Sequence, residues 1–298
     1  MATTLDRPAV VTGRRTVHRS ARKMADRASR AAIEQAGLKS GDIDLLVNVG
    51  LYHERNLGEP ALAALIQEDV GINPEDPHAG GHGSFSFDIA NGGCGVLTAL
   101  QVADGFLQSG VIEHALVVAS DADPRHGLAT GFPFSPTGAA VVCSWQEGAI
   151  GLAGFRWETA PEEGYPFRSR VSFEHGRNVL RIEKDADFDS RAAAWAAKTA
   201  TSLLADRDMR PADVDLVIAS PLTPAFLEGL SAHVGIGLER VLVVEGAEHV
   251  HTAALLVALA SAAEQGRLRD ARRALLVSAG AGMVVGAAVL VHGREVET

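Results

Sequence analysis

Apolar and polar positions alternate along this chain with two distinct periods. Residues 9–12 (AVVT) and 41–50 (GDIDLLVNVG) read as buried strands, and 84–90 (SFSFDIA) as a short buried strand. Residues 96–107 repeat apolar side chains at Val96, Leu97, Leu100, Ala103, Phe106 and Leu107, the spacing of a helix with little charge. A helix is likewise expected over 20–36, with Gly37 as its C-cap. Strand and helix signals alternate throughout, which favours a layered α/β fold with mainly parallel strands.

The pattern also repeats at long period. A helix, a short polar link and Asp-Ile-Asp-Leu-Leu-Val (42–47) recur as a helix over 190–209 followed by Asp-Val-Asp-Leu-Val-Ile (213–218). The helix and strand of 99–120 recur at 258–280, each strand beginning Ala-Leu. Each half closes on a small-residue strand, GAAVVCSW (138–145) and GAAVLVH (286–292). Two units follow, 1–150 and 151–298, which should superpose with their strands in the same order. The irregular, charged stretch 147–189 reads as a link plus a cap or edge hairpin. Packed about a pseudo-two-fold axis, the halves bring equivalent loops to face each other. The loop NGGCG (91–95) then faces GAEHVHTAA (246–254).

Composition narrows the class. Hydrophobic residues at 47% and charged residues at 21% describe an ordinary globular protein with a sizeable core. The formal net charge of −10 argues against non-specific nucleic-acid or membrane-surface binding. The two cysteines, Cys94 and Cys143, make no disulfide framework. With no apolar signal segment and no run of membrane-spanning length, a cytoplasmic protein is expected.

Cys94 is the candidate nucleophile, because it sits where a strand breaks into a helix between glycines. A helix N-terminus stabilises a thiolate and should lower the thiol pKa. The competing reading is a small buried hydrophobe, which is the reading given to Cys143. The histidines of PHAGGHG, His78 and His82, suit a surface loop better than a metal site, so no metal is expected. The Gly280, Gly282, Gly286 run lacks the helix and ribose-binding acid of a dinucleotide fingerprint. The arginines 267, 269, 272 and 273 read as a solvated face.

Taken together, FDIANGGCGVLTALQVADGFLQSGVIEHALVVASDA (87–122), FSPTGAAVV (134–142), ERVLVVEGAEHVHTAALLVAL (239–259) and ALLVSAGAGMVVGAAVL (274–290) resemble the β-ketoacyl-acyl carrier protein synthase III group of the thiolase superfamily. The resemblance implies a five-layered αβαβα fold built from two duplicated halves. It also implies a dimer, usually of two copies with a heterodimer open, burying well over ~2,000 Å² in total. Strand 115–120 is the expected shared edge. No cofactor is implied; the substrate is an acyl thioester on coenzyme A or on an acyl carrier protein. The typical tryptophan and arginine that stack coenzyme A have no match here, so both donors stay open.

The resemblance also marks departures. Where the family places a catalytic histidine, this chain reads Ser220-Pro221-Leu222-Thr223; where it places an asparagine, this chain has His251. The implied catalytic set is Cys94, His251 and Ser220, with His249 as the substitute two residues earlier. Gly280 and Gly282 belong to the glycine-rich loop that helps build the oxyanion hole. Phe132 and Phe134 would line the acyl tunnel or a dimer contact. An acyltransferase making a C–C, ester or amide bond is implied; the alternative is a degenerate thiolase-fold subunit that supports an active partner.

Overall fold

The computed structural model describes residues 2–13, 20–72, 83–148 and 150–292; His78 and His82 lie outside them. Strands β1 (Ala2–Leu5), β2 (Ala9–Thr12), β3 (Leu45–Asn48), β4 (Phe85–Asp88), β5 (His114–Asp121) and β6 (Thr137–Gln146) form one sheet in the order β1-β6-β5-β3-β4, with β2 also on β6. Then come β7 (Gly151–Thr159), the hairpin β8 (Phe167–Glu174) and β9 (Arg177–Lys184), and strands β10 (Leu216–Ser220), β11 (Arg273–Gly280) and β12 (Val284–Val291). Strands β10-β11-β12-β7 form the second sheet in that order. The helices are α1 (Ala21–Gln35), α2 (Leu62–Val70), α3 (Gly95–Gln108), α4 (Phe188–Asp206), α5 (Pro224–Val234), α6 (Ala254–Glu264) and α7 (Arg267–Asp270). None is long and apolar enough to cross a membrane among the described residues.

Strands buried on both faces place alternate residues in different layers. Leu45 and Val47 pack with α3 and α6 between the sheets, whereas Leu46 faces α1 and α2. In β11, Ala274 and Leu276 face the same central helices, whereas Leu275 and Val277 face α4 and α5. The result is the expected five-layered order, with α3 and α6 as the central layer.

The halves also repeat in their polar detail. Asp42 Oδ2 accepts from Lys39 N at 2.7 Å, and Asp213 Oδ2 from Arg210 N at 2.8 Å. Asp44 Oδ2 caps the start of β5 through Glu113 N and His114 N, at 2.7 and 3.0 Å. Asp215 Oδ2 does the same for β11 through Arg272 N and Arg273 N, both at 2.9 Å. The repeated Asp-x-Asp is therefore a turn cap followed by a strand cap.

Two expectations are corrected. The sheets are mixed: β3 pairs in parallel with β4 and β5, and β10 with β11, but β5–β6, β11–β12 and β12–β7 are antiparallel. Strand 115–120 is not an edge. It lies in β5, bonded to β3 on one side and β6 on the other. The edge strand at that end of the order is β4, on the far side of β3, whose exposed Phe85 packs on Phe87 and Phe106 at centroid distances of 6.2 and 5.4 Å.

Candidate active site

Cys94 reaches the centre of the molecule through backbone geometry. After β4 the chain makes a 3-10 turn, Gly92–Cys94, that runs directly into α3. The Asn91 amide donates to Thr98 Oγ1 at 2.9 Å, and that hydroxyl donates to Cys94 O at 2.9 Å. The turn packs against the end of β11. A Cβ on Gly93 would stand 2.6 Å from Ala279 O, closer than a side-chain carbon can sit, so glycine alone fits. A Cβ on Gly280 would stand 3.4 Å from Cys94 N and 3.5 Å from Cys94 Sγ. The thiol donates to Val284 O at 3.3 Å. Cys94 thus lies between the two halves, touching the second.

This position reverses the expected acidity. Cys94 is fully buried, and burial pushes its thiol well above the ordinary value. Cys143, on β6, is buried in the central core and its thiol is raised mainly by burial too.

His251 stands opposite, just before α6. A Cβ on Gly92 would be 3.8 Å from both its Cε1 and Nε2, so the duplicated loops do meet. The ring is stacked on Phe134 at 4.2 Å and on Tyr52 at 5.6 Å, with Phe167 edge-on at 5.7 Å. Its Nε2 is buried and makes no hydrogen bond among the described residues. Burial pushes the imidazole below its ordinary value; the Asp121 charge opposes this and Lys184 adds to it. That shift favours the neutral imidazole, the form that accepts a proton.

The other candidates separate by position. Ser220, at the buried end of β10, donates to Gly93 O over 3.4 Å. His249 is exposed, and its carbonyl accepts from Ser135 N at 2.9 Å; its side chain is not part of this cluster. Gly280 touches Cys94, but Gly282 sits exposed in the β11–β12 turn, where its carbonyl lies against Gly164. Cys94 N bonds Asn91 O at 2.9 Å and so holds the turn. Phe132 and Phe134 pack on Tyr52 at 5.6 and 5.5 Å. With Arg125 and His126 they line an outer groove of ≈ 580 Å³. A much smaller cavity of ≈ 50 Å³ lies between Gly93, Ser220, Thr223, His251 and Gly280. Of the basic cluster, Arg267 bonds Glu239 O and Val241 O at 2.7 and 3.4 Å, and Arg269 pairs with Asp270.

Sequence reasoning missed Asp121. Its buried carboxylate accepts from Leu51 N and Tyr52 N on one oxygen, and from Thr252 N and Thr252 Oγ1 on the other. The signal was present: an acid closing the apolar run ALVVAS must find partners if it is buried. Tyr52, Thr223 and Phe167 carry no comparable signal.

A model of the 3-oxoacyl-[acyl-carrier-protein] synthase III family matches residues 87–160, and the companion model of its C-terminal region matches 204–292. The beta-ketoacyl-[acyl-carrier-protein] synthase III of Paramagnetospirillum magneticum is 26% identical over 287 residues, 90% of this chain and 82% of the relative. The crystal structure of 3-oxoacyl-(acyl carrier protein) synthase III from Pseudomonas aeruginosa PAO1 superposes with a TM-score of 0.82 at 17% identity, covering 99% of each chain. Xanthomonas campestris OleA, crystallised with lauric acid and lauroyl-CoA, gives 0.78 at 18% identity over 98% of this chain and 99% of that one. These two likenesses establish the fold.

Proposed function

Because the chain belongs to the 3-oxoacyl-[acyl-carrier-protein] synthase III group of the thiolase superfamily, a group of condensing and acyl-transferring enzymes, we propose that it takes an acyl group onto Cys94 from a thioester and passes it to a second substrate. The observation that carries this is the meeting of the Cys94 and His251 loops: a thiol against Gly280 on one side, and against Gly92 on the other a buried imidazole nitrogen with no hydrogen bond among the described residues. A thiol raised by burial is a poor nucleophile until a base removes its proton. His251 Nε2 takes that proton as sulfur attacks the thioester carbonyl. The backbone amide of Gly280 serves the developing oxyanion, in the place expected of Gly282, while Cys94 N holds the turn through Asn91 O. The donor thiol leaves with the proton from His251. In the second step the imidazole, neutral again, serves the acceptor.

The donor is an acyl thioester on coenzyme A or on a carrier protein, as the names of the relatives suggest for them. C–C condensation is the nearest form of the reaction in fatty-acid, polyketide or other specialised metabolism, and ester or amide formation its variant. Full burial of Cys94 favours one second reading, a degenerate subunit that supports an active partner. Digestion and peptide mass mapping after incubation with acyl thioesters of graded length, on each type of carrier, tests the choice. An acyl group on the peptide containing Cys94 supports acyl transfer. An unmodified peptide with every donor supports the degenerate subunit.

A further inference from the structure

The cavity beside Cys94 and His251 has walls of unequal character. Gly93 and Gly280, which flank Cys94, form one; Ser220, Thr223 and His251 form another. Two side-chain atoms of this second wall, Thr223 Oγ1 and His251 Nε2, are buried and make no hydrogen bond among the described residues. Among the described residues Ser220 Oγ makes only its long bond of 3.4 Å to Gly93 O. Thr223 is the N-cap residue of α5, where a threonine hydroxyl ordinarily accepts from the first helical turn, yet it makes no cap bond. Its hydroxyl serves the cavity rather than the helix.

A buried polar atom without a partner destabilises the fold that holds it. A group of them around a small void is therefore a site for a small molecule that both donates and accepts. A space of ≈ 50 Å³ with converging polar atoms matches one or a few waters, each needing about two to four partners.

We propose that water is an acyl acceptor at this site, so that the protein hydrolyses the thioester it takes up. The proposal rests on Cys94 being the acylated residue. Thr223 Oγ1 and Ser220 Oγ hold the water against His251 Nε2. The water oxygen attacks the acyl carbonyl while its proton passes to Nε2. The C–S bond then breaks, and the sulfur of Cys94 leaves with the bonding pair and recovers the proton from the imidazole. The products are a free carboxylic acid, carrying one oxygen from water, and the original thiol.

The test acylates the whole protein with a medium-chain acyl thioester, removes excess donor and transfers it to water enriched in oxygen-18. Adduct mass and labelled acid are followed together, with the same acyl-protein unfolded in denaturant as baseline. The parent is expected to lose its adduct at least tenfold faster than the unfolded baseline, releasing singly labelled acid. Thr223→Val should lengthen the adduct lifetime at least tenfold, and Thr223→Ser should restore it. An adduct in the parent as long-lived as the baseline overturns hydrolysis while leaving the acyl-Cys94 reading intact. An adduct lost equally fast in Thr223→Val overturns the placement of the water on the Thr223 hydroxyl. If no adduct forms on Cys94 at all, the acyl-enzyme reading falls and hydrolysis falls with it.

Discussion

Asp121 Oδ2 accepts two hydrogen bonds from a single residue, Thr252: from its amide at 2.9 Å and from its hydroxyl at 2.7 Å. Asp121 closes β5 of the first half, and Thr252 follows His251 in the second. The other oxygen, Oδ1, holds Leu51 N and Tyr52 N at 3.1 and 3.0 Å. One carboxylate therefore fixes both the histidine loop and the tyrosine on which the imidazole stacks.

Asp121→Asn keeps the shape but leaves one side-chain atom unable to accept. A stability loss of about 1–3 kcal/mol is expected in denaturant titration. Stability alone does not distinguish a positioning residue from a scaffold. The pH profile of deacylation does. Asp121 raises the His251 pKa, so removing its charge lowers that pKa further. The acid limb of the profile should then move to lower pH. An unmoved limb would reduce Asp121 to a structural part.

Gly93→Ala introduces a Cβ 2.6 Å from the carbonyl of Ala279. The cysteine turn must then draw back from β11. Overpacking of this kind typically costs about 1–3 kcal/mol. Acylation should also fall by at least tenfold, since Cys94 moves away from Gly280. Thermal unfolding and adduct formation measure the two effects, and parental values in both would place the loops farther apart than described here.

His251→Ala should slow transfer roughly 10²–10⁴-fold, the usual effect of losing a positioned base. His249→Ala should behave as the parent, because His249 is exposed and lies outside the cluster. Since burial lowers the His251 pKa, its neutral form persists below the ordinary value near 6.5. The acid limb of transfer should therefore lie below that ordinary value. A midpoint at or above 6.5 would exclude this ring as the base.

The assembly should be a dimer joined through β4. An edge strand with an exposed phenylalanine, Phe85, is suited to pair with another chain. Light scattering at micromolar concentration should give twice the chain mass, and Phe85→Glu should give the monomer. A monomeric parent contradicts the assembly, and a dimeric Phe85→Glu relocates its interface.

The layered duplication was legible because each half writes the same signals, Asp-x-Asp and a closing strand of small residues, into its own stretch. The order of strands was less so. ALVVAS is apolar on both faces, the mark of an interior strand; expecting it at an edge gave dimerisation precedence over that pattern. The mixed pairing arises because β5–β6 and β11–β12 return antiparallel after irregular or tight connections, which carry no periodicity. At the site, the strand-to-helix position of Cys94 was readable from its neighbours. Its acidity was not, because the burial that sets it comes from Ala279, Gly280 and Val284, nearly two hundred residues away. The same distance hid the joint work of Asp121 and Thr252.

The central claim is that Cys94 carries the acyl group. Intact-protein mass spectrometry after incubation with acyl thioesters, applied in parallel to the parent, Cys94→Ala and Cys143→Ala, tests it most directly. The parent and Cys143→Ala are expected to gain one acyl mass, and Cys94→Ala none. An adduct of the same size and rate in Cys94→Ala would contradict the claim and move the chemistry to another residue.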